Sequence, residues 1–296
     1  MAPGTRVGQE VRGWRPARWG VVALLSSACV GVGEARADGP RIDLEVAGGV
    51  VRDGLGGHAA LWSPMMTLTG RAGATGAAWL RAGGTMAVDS AGATGFAAGN
   101  LVFGWAEQMG AGLVLKVGGA LPVARRGQAV DALAEIGGRA IRGHWESWQW
   151  LGDHAAAFGS MTWAEVGPGW LFEAQPTVAF MLPTQAREGT DGLVRGDGLA
   201  LELRARVAAE VAANWWVSLA GQLAWTPTVT RDAAALSLVP ELRWLLPEGA
   251  HLALGAVVNL DAPWGPSWAR DAALPAGALA VGRGATGFRL SGAWRF

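Results

Sequence analysis

Hydrophobic and polar residues alternate along much of the chain. In the segment 199–211, Leu, Ala and Val occupy the odd-numbered positions, while Glu202 and Arg204 begin a charged series at even-numbered positions. Because successive side chains of a β-strand point to opposite faces, this spacing predicts a strand with one apolar and one polar face. The same alternation recurs at 42–46 and at 236–246.

Twelve segments follow this pattern. Their predicted bounds are 42–51, 60–70, 78–88, 95–105, 111–124, 155–165, 170–182, 198–212, 215–226, 235–246, 251–260 and 280–296. Most are about ten to fourteen residues long, which suits strands tilted across a membrane and exceeds the usual length in soluble sheets. The alternation is weakest in 155–165. No run after residue 37 approaches the roughly 18 apolar residues of a membrane-spanning helix.

The connections between these segments alternate in length. Every second connection is short, as in EQMGA, VGPG, AAN and PEGA, whereas the longest of the others cover 125–154, 183–197 and 261–277. Short periplasmic turns, longer extracellular loops and an even strand number are typical of outer-membrane barrels. The pattern therefore predicts an all-β protein, a single transmembrane antiparallel up-and-down β-barrel of about 12 strands.

Hydrocarbon offers no partner for a backbone hydrogen bond, so the first and last strands must pair and close the sheet. Twelve tilted strands leave an opening roughly 10 Å across if nothing fills it.

The first 37 residues have the pattern of a signal peptide. Several Arg residues precede the apolar stretch WGVVALLSSACVGV, and Ala35 and Ala37 occupy the positions that a signal peptidase reads. The stretch is too short to span a bilayer, which takes about 20 residues. We expect a signal peptide at 1–37, a barrel domain at 38–296 and export to the outer membrane. The alternative is lipoprotein processing at Cys29, although the nearest Leu lies one position too far upstream.

Composition after residue 37 narrows the chemistry. The single cysteine of the chain is Cys29, so the predicted mature protein has neither disulfides nor thiolate metal sites. Its net charge is slightly negative, which gives no indication of nucleic-acid binding. Tryptophan is abundant and Tyr absent, and an indole suits the lipid headgroup level. Such tryptophans at predicted strand ends are Trp105, Trp163, Trp170, Trp215, Trp216, Trp244 and Trp294.

The carboxyl terminus carries a family-specific pattern. Residues 285–296 alternate apolar and polar side chains and end in an aromatic one. With the leader and the twelve segments, this resembles the Gram-negative outer-membrane β-barrel superfamily over nearly the whole chain. The resemblance implies an assembly signal that the barrel-insertion machinery reads, with Arg289 at its polar place and Trp294 and Phe296 at its hydrophobic and aromatic places. Ser291 stands where Gly is usual in that signal.

A narrower resemblance concerns two segments, GGALPVARRG and AFMLPTQAREG, in which a strand ends in Leu-Pro before a loop. They resemble transporters of the type associated with phenol-degradation clusters. We therefore expect a porin-like channel for small solutes, whose partners are membrane lipids, the assembly machinery and a solute that the sequence does not identify.

Charged residues at inward-facing positions are candidates to line the lumen. They are Lys116, Glu173, Glu202, Arg204, Arg206, Glu210, Glu241, Arg243, Arg283 and Arg289, with Arg81 and Arg295 as further members. Opposed acidic and basic rows would make a selective channel. The alternative is that ion pairs fill the interior and close it, as in a structural or surface-interaction barrel.

The long segment 125–154 is a second candidate site. Apolar residues at helical spacing predict a short helix folded into the barrel mouth, interrupted at Gly137 and Gly138. Beyond it, three tryptophans near His144 are expected at the outer leaflet or on the rim, with stacking on an aromatic or sugar ring as the alternative. These tryptophans are Trp145, Trp148 and Trp150.

Catalysis is not expected from this sequence. Some barrels hydrolyse lipids with a Ser and a His, but His144, Ser147 and Ser160 lack a recognised triad spacing. His and carboxylate residues show no metal-ligand spacing, and the Gly-rich stretches do not open a helix as phosphate loops do. We expect no enzymatic activity, no metal and no cofactor, with an outer-membrane acyl hydrolase as the third alternative.

Overall fold

Thirteen antiparallel strands form one sheet. The computed structural model describes residues 40–52, 58–123, 129–143, 145–150, 154–184, 198–226, 233–247, 250–260 and 286–295. The strands are β1 (Arg41–Arg52), β2 (His58–Arg71), β3 (Gly76–Asp89), β4 (Thr94–Ala98), β5 (Leu101–Gly110), β6 (Leu113–Leu121), β7 (His154–Gly167), β8 (Trp170–Pro183), β9 (Gly198–Ala212), β10 (Trp215–Thr226), β11 (Ala233–Leu245), β12 (His251–Asn259) and β13 (Thr286–Arg295). A helix, α1 (Ala129–Ala140), and a 3-10 helix (Ser147–Trp150) lie between β6 and β7.

The sheet closes on itself. Strand β1 pairs with β2 on one side and with β13 on the other, and β2 pairs in turn with β3. The seam runs in register from Arg41 opposite Arg295 to Val50 opposite Thr286. This confirms the predicted barrel and the predicted pairing of its first and last strands.

Strands β4 and β5 share one place in the wall, so the barrel has twelve strand positions. Both pair with β3, β4 along Gly84–Val88 and β5 along Gly76–Arg81. The sequence predicted a single strand at 95–105. The strand is instead broken at 99–100, because the backbone N–H of Asn100 donates to the carbonyl oxygen of Gln149 at 2.7 Å rather than to a neighbouring strand.

The remaining strands agree with the predicted bounds to within a few residues, and this includes the weakly patterned 155–165, which lies within β7. The first part of the predicted 280–296 lies outside the described residues. The turn after β5 lies later than expected, so β6 is shorter than the predicted 111–124. Gly112 makes that turn possible with a φ of 77°, and Asn214 has a φ of 67° in the turn between β9 and β10. We call this end of the barrel the short-turn end and the opposite one the long-connection end.

The two faces of the wall differ as the alternation predicted. Large apolar side chains cover the outer face, where Leu203, Val207 and Leu254 are 45%, 53% and 57% exposed. Six of the seven strand-end tryptophans also lie there, towards the short-turn end. The exception is Trp216, which is only 4% exposed and faces inwards. Consecutive strand residues point to opposite faces, so Trp215 and Trp216 cannot both face outwards.

The inner face surrounds α1, which packs against β2, β3 and β4. A buried apolar cluster joins the helix to the wall through Ala134, Ile141 and Trp148. Within the described ranges, no helix is long and apolar enough to cross a bilayer.

Candidate functional site

A stretch of chain from the connection between β6 and β7 lies inside the barrel. We call residues 129–150 the inserted segment; it comprises α1, the following turn and the 3-10 helix. Its described residues contact strands on every side of the lumen, and these contacts define the candidate site.

Two glycines let α1 lie directly against the wall. A Cβ at Gly137 would clash with the side chain of Leu61, and one at Gly138 would clash with Thr85 Oγ1. The prediction that these glycines interrupt the helix is therefore wrong, since α1 continues through both to Ala140. Their lack of a side chain allows the close approach, at the cost of roughly 1 kcal/mol of helix propensity each.

Wall side chains cap the end of α1. Asn259 Nδ2 donates to the carbonyl oxygen of Ala140 at 2.9 Å, and Ser237 Oγ donates to that of Gly143 at 2.9 Å. The last carbonyl groups of a helix have no partner within the helix. Strands β11 and β12 supply those partners, which fixes the point where the helix ends.

Arg142 is the first ionic anchor of the inserted segment. Its Nη1 donates to Glu45 Oε1 at 3.0 Å and its Nη2 donates to the carbonyl oxygen of Ser63 at 2.8 Å. The guanidinium also lies over the Trp150 ring, 5.1 Å from the centroid. Burial lowers the pKa of Arg142, and the Glu45 carboxylate opposes this shift. Arginine nevertheless stays charged in proteins at neutral pH, so the anchor is ionic.

Glu146 is the second anchor and reaches other strands. Its carboxylate pairs with Arg81 on β3, and its backbone N–H donates to Glu202 Oε2 on β9 at 2.9 Å. Glu146 has a φ of 50°, which is uncommon for a residue other than glycine. Together the two anchors hold the segment between β1, β2, β3 and β9.

The tryptophans of the inserted segment lie inside the barrel. Trp148 stacks on Phe158 with centroids 4.6 Å apart, and Trp148 and Trp150 are 1% and 2% exposed. The expectation of an outer-leaflet or rim position is therefore wrong for these two. Trp145 is half-buried, and the Arg204 guanidinium lies 6.0 Å from its ring centroid. An indole is mostly apolar, so it packs in a lumen as readily as at a lipid interface.

Ion pairs lie along the inner face of the wall between the inserted segment and the short-turn end. Glu173 on β8 pairs with Arg206 on β9 at 3.0 Å, and both side chains are 1% exposed. Glu241 pairs with Arg243 on its own strand and with Arg289 of β13, the latter at 2.8 Å. Charge in this layer is thus largely neutralised by partners from the wall itself.

The other charged residues predicted for the lumen are placed as follows. Lys116, Glu202 and Arg204 are buried on the inner face. Glu210 lies near the end of β9 opposite Trp216 and is exposed, and its Oε1 accepts the Asn214 N–H at 3.3 Å. Arg283 lies outside the described residues, and the selectivity roles of all these residues remain predictions.

The structure describes two of the three residues of the predicted assembly signal. Arg289 faces the lumen and Trp294 faces outwards, 39% exposed. Phe296 lies outside the described residues. Their recognition by assembly machinery remains a prediction.

Sequence reasoning missed the groups that fix the inserted segment. They include Arg142, Glu146 and Asn100, whose Nδ2 also donates to the carbonyl oxygen of His154 at 3.0 Å. The contacts link residues up to 119 positions apart, and no local pattern marks them. The inward position of Glu45 within the alternation of β1 was the available signal.

The serine and histidine residues form no catalytic arrangement among those described. Ser160 Oγ lies 3.0 Å from both Gln175 Nε2 and Thr177 Oγ1, on the inner face. His144 lies outside the described residues. In the described part of the chain, no group of three or more His, Cys, Asp or Glu could hold a metal ion.

Comparison with known proteins shows solved structures of similar fold. No family model and no curated protein matches the sequence. Among solved structures, an outer membrane channel from Pseudomonas putida F1 is similar with a TM-score of 0.54 and 9% identity, covering 87% of this chain and 96% of that one. The NanC porin has a TM-score of 0.48 and 7% identity, covering 86% and 100%. At such identities the likeness concerns the fold alone.

Proposed function

We propose that this protein, which has the fold of the outer-membrane β-barrels, is an outer-membrane channel for small solutes whose lumen is narrowed by the inserted segment. One observation carries the proposal: residues 129–150 lie within a closed barrel and contact its wall from β1 to β12. The apolar outer face supports a lipid environment, because exposed Leu and Val cost little in hydrocarbon. The polar inner face supports a hydrated path.

The inserted segment limits what passes. An unobstructed twelve-stranded barrel would leave an opening roughly 10 Å across. With α1 and two buried tryptophans in the long-connection half, a solute must pass beside the segment or displace it. We therefore assign a low conductance to the native channel and a preference for small solutes.

The experiment is single-channel recording in a planar bilayer. We compare the native protein with a variant in which residues 129–150 are replaced by a short Gly-Ser linker. The native protein should give small, resolvable steps, and the variant should conduct several-fold more. Folding of both is checked by heat-modifiable mobility on a gel, so that a silent variant is not mistaken for a closed one.

The second candidate is a structural or surface-interaction barrel with a closed lumen. It is favoured by the number of wall contacts on the inserted segment and by the neutralising ion pairs beneath it. This candidate expects no conductance from the native protein and large steps after the segment is replaced. That result would contradict the channel.

We also propose that the chain is not an enzyme and that it is assembled from its last strand. Phospholipid hydrolysis by the purified protein that is lost in Ser147→Ala would contradict the first statement. For the second, removal of Phe296 should reduce the folded barrel in the outer membrane, whereas Arg71→Gln at the exposed end of β2 should not. Equal amounts in both variants would contradict the role of the terminal aromatic residue.

A further inference from the structure

Arg204 is a buried cation without a direct ion pair among the described residues. It lies on the inner face of β9 and is 6% exposed. No carboxylate of the described residues forms an ion pair with it, and its Nε–H has no hydrogen-bond acceptor. A buried guanidinium without a direct ion pair is costly, so an anion bound beside Arg204 would stabilise it.

A second unpaired donor lies beside it. Gln222 on β10 is the cross-strand neighbour of Arg204 and is 1% exposed. Its Oε1 lies 3.3 Å from Ser237 Oγ, which leaves its amide nitrogen Nε2 without an acceptor. Paired residues on one face of an antiparallel sheet have Cβ atoms about 5 Å apart. Two donors without acceptors therefore face the same part of the lumen.

The neighbouring carboxylates are already engaged. Glu173 pairs with Arg206, Glu202 accepts the Glu146 N–H, and Glu241 pairs with two other arginines. None of them is bonded to Arg204. Arg204 therefore has no direct ion pair with any of these three carboxylates.

We propose that Arg204 and Gln222 form the binding site for a small monocarboxylate. The proposal rests on the proposed function, because the solute reaches the site through the lumen. The planar guanidinium and the amide N–H match the two oxygens of one carboxylate group. A doubly charged anion is disfavoured, since Glu202 lies two residues away on the same face of β9 and would repel the second charge.

The site also contacts the inserted segment. The Trp145 ring lies at the outer limit of a cation–π contact with the Arg204 guanidinium. A carboxylate bound to that guanidinium is therefore next to the segment that narrows the channel, and the solute is held where the path is most restricted.

Calorimetric titration of the purified protein in detergent tests the site. The probes are benzoate, its neutral isostere benzamide, and inorganic phosphate. Benzoate should bind saturably to one site, and benzamide should not bind. Arg204→Gln should weaken benzoate binding at least tenfold. Gln222→Met, which keeps the side-chain length without the amide, should weaken it several-fold.

Arg71→Gln is the matched control, because it removes a guanidinium from the exposed end of β2. It should leave benzoate binding unchanged. Equal binding of benzoate and benzamide, phosphate binding as tight as benzoate, or unchanged affinity in Arg204→Gln would each overturn the proposal. The benzamide and phosphate comparisons use the native protein, so they hold even if a variant fails to fold.

The proposed binding site and the proposed channel can be contradicted independently of each other. Benzoate binding that depends on Arg204, in a protein without conductance, supports the site and contradicts the channel. Conductance without saturable benzoate binding contradicts the site and leaves the channel supported.

Discussion

The two halves of the lumen are filled in different ways. Towards the long-connection end, the inserted segment occupies the interior, with Trp148 packed on Phe158 and α1 against β3. Towards the short-turn end, side chains of the wall pair with each other along the inner face, as Glu173 on β8 and Arg206 on the neighbouring β9 do. The first filling forms no strand of the sheet, whereas the second consists of side chains of the strands. We therefore expect the segment to govern passage and the ion pairs to stabilise the barrel.

The largest loss of stability should come from a substitution in the short-turn half. Glu173→Gln removes one charge of a pair in which both side chains are 1% exposed. It leaves Arg206 buried without its counter-charge, and breaking such a pair costs about 3–5 kcal/mol. The free energy of unfolding, measured by urea titration in lipid vesicles, should fall by about this amount.

Glu165→Gln is the control for that substitution, because Glu165 is exposed near the short-turn end of β7. Its effect should be small, as for other exposed charges. A similar small effect of Glu173→Gln would show that water screens the pair, and the distinction between the two halves would then fail.

A substitution in the inserted segment should lower the stability of the whole barrel less. Trp148→Ala removes a buried ring, and such truncations cost about 3–5 kcal/mol where the site cannot rearrange. Because the segment forms no strand of the sheet, the loss should appear in its docking rather than in unfolding of the barrel. Proteolysis within 129–150 should become several-fold faster, while the urea midpoint should change little.

Trp163→Ala, on the outer face and 47% exposed, should leave that proteolysis unchanged. If Trp148→Ala instead lowers the urea midpoint as much as Glu173→Gln does, the segment is part of the barrel's folding unit and not a separable insert.

The smallest expected effect is that of Gly287→Ala, which adds one methyl group. A Cβ at Gly287 would lie 2.7 Å from the carbonyl oxygen of Ile141, so Gly287→Ala should push the inserted segment away from β13. Overpacking of this kind costs about 1–3 kcal/mol. Single-channel conductance should rise measurably. Gly221→Ala is the matched control, since a Cβ there meets nothing within 4 Å. Equal conductance in the two variants would contradict the contact between Gly287 and Ile141.

Much of the barrel could be predicted from the sequence because the membrane imposes a local rule. Alternation in β9 and β13 follows from lipid on one side and a polar interior on the other, and closure follows from hydrogen bonding. The rule concerns neighbouring residues, so it can be applied without knowing any long-range contact. The rule does not say where along a strand the buried layer ends, and Glu210, near the end of β9, is exposed.

The lumen could be predicted less well because its contacts are not local. The break at Asn100 depends on Gln149, almost fifty positions away, and the end of α1 depends on Asn259. For Trp148, hydrophobicity alone does not separate a lumen from a lipid interface, since an indole suits both. The candidate residues Arg204 and Arg206 were found on the correct face, but their different partners became visible only in three dimensions.

The most direct test of the account is a disulfide between α1 and β3. A Cβ at Gly138 would lie 3.2 Å from that of Thr85, close to the spacing of about 3.5–4.5 Å in disulfides. The pair Gly138→Cys and Thr85→Cys is made in a Cys29→Ser background, which has no other cysteine. The control pairs Gly138→Cys with Thr67→Cys; Thr67 lies opposite Arg81 on β3, about 13 Å along the strand from Thr85. The account predicts rapid oxidation to a cross-linked barrel in the first pair and not in the second. No cross-link in the first pair, or equal cross-linking in both, would contradict a segment held inside the barrel.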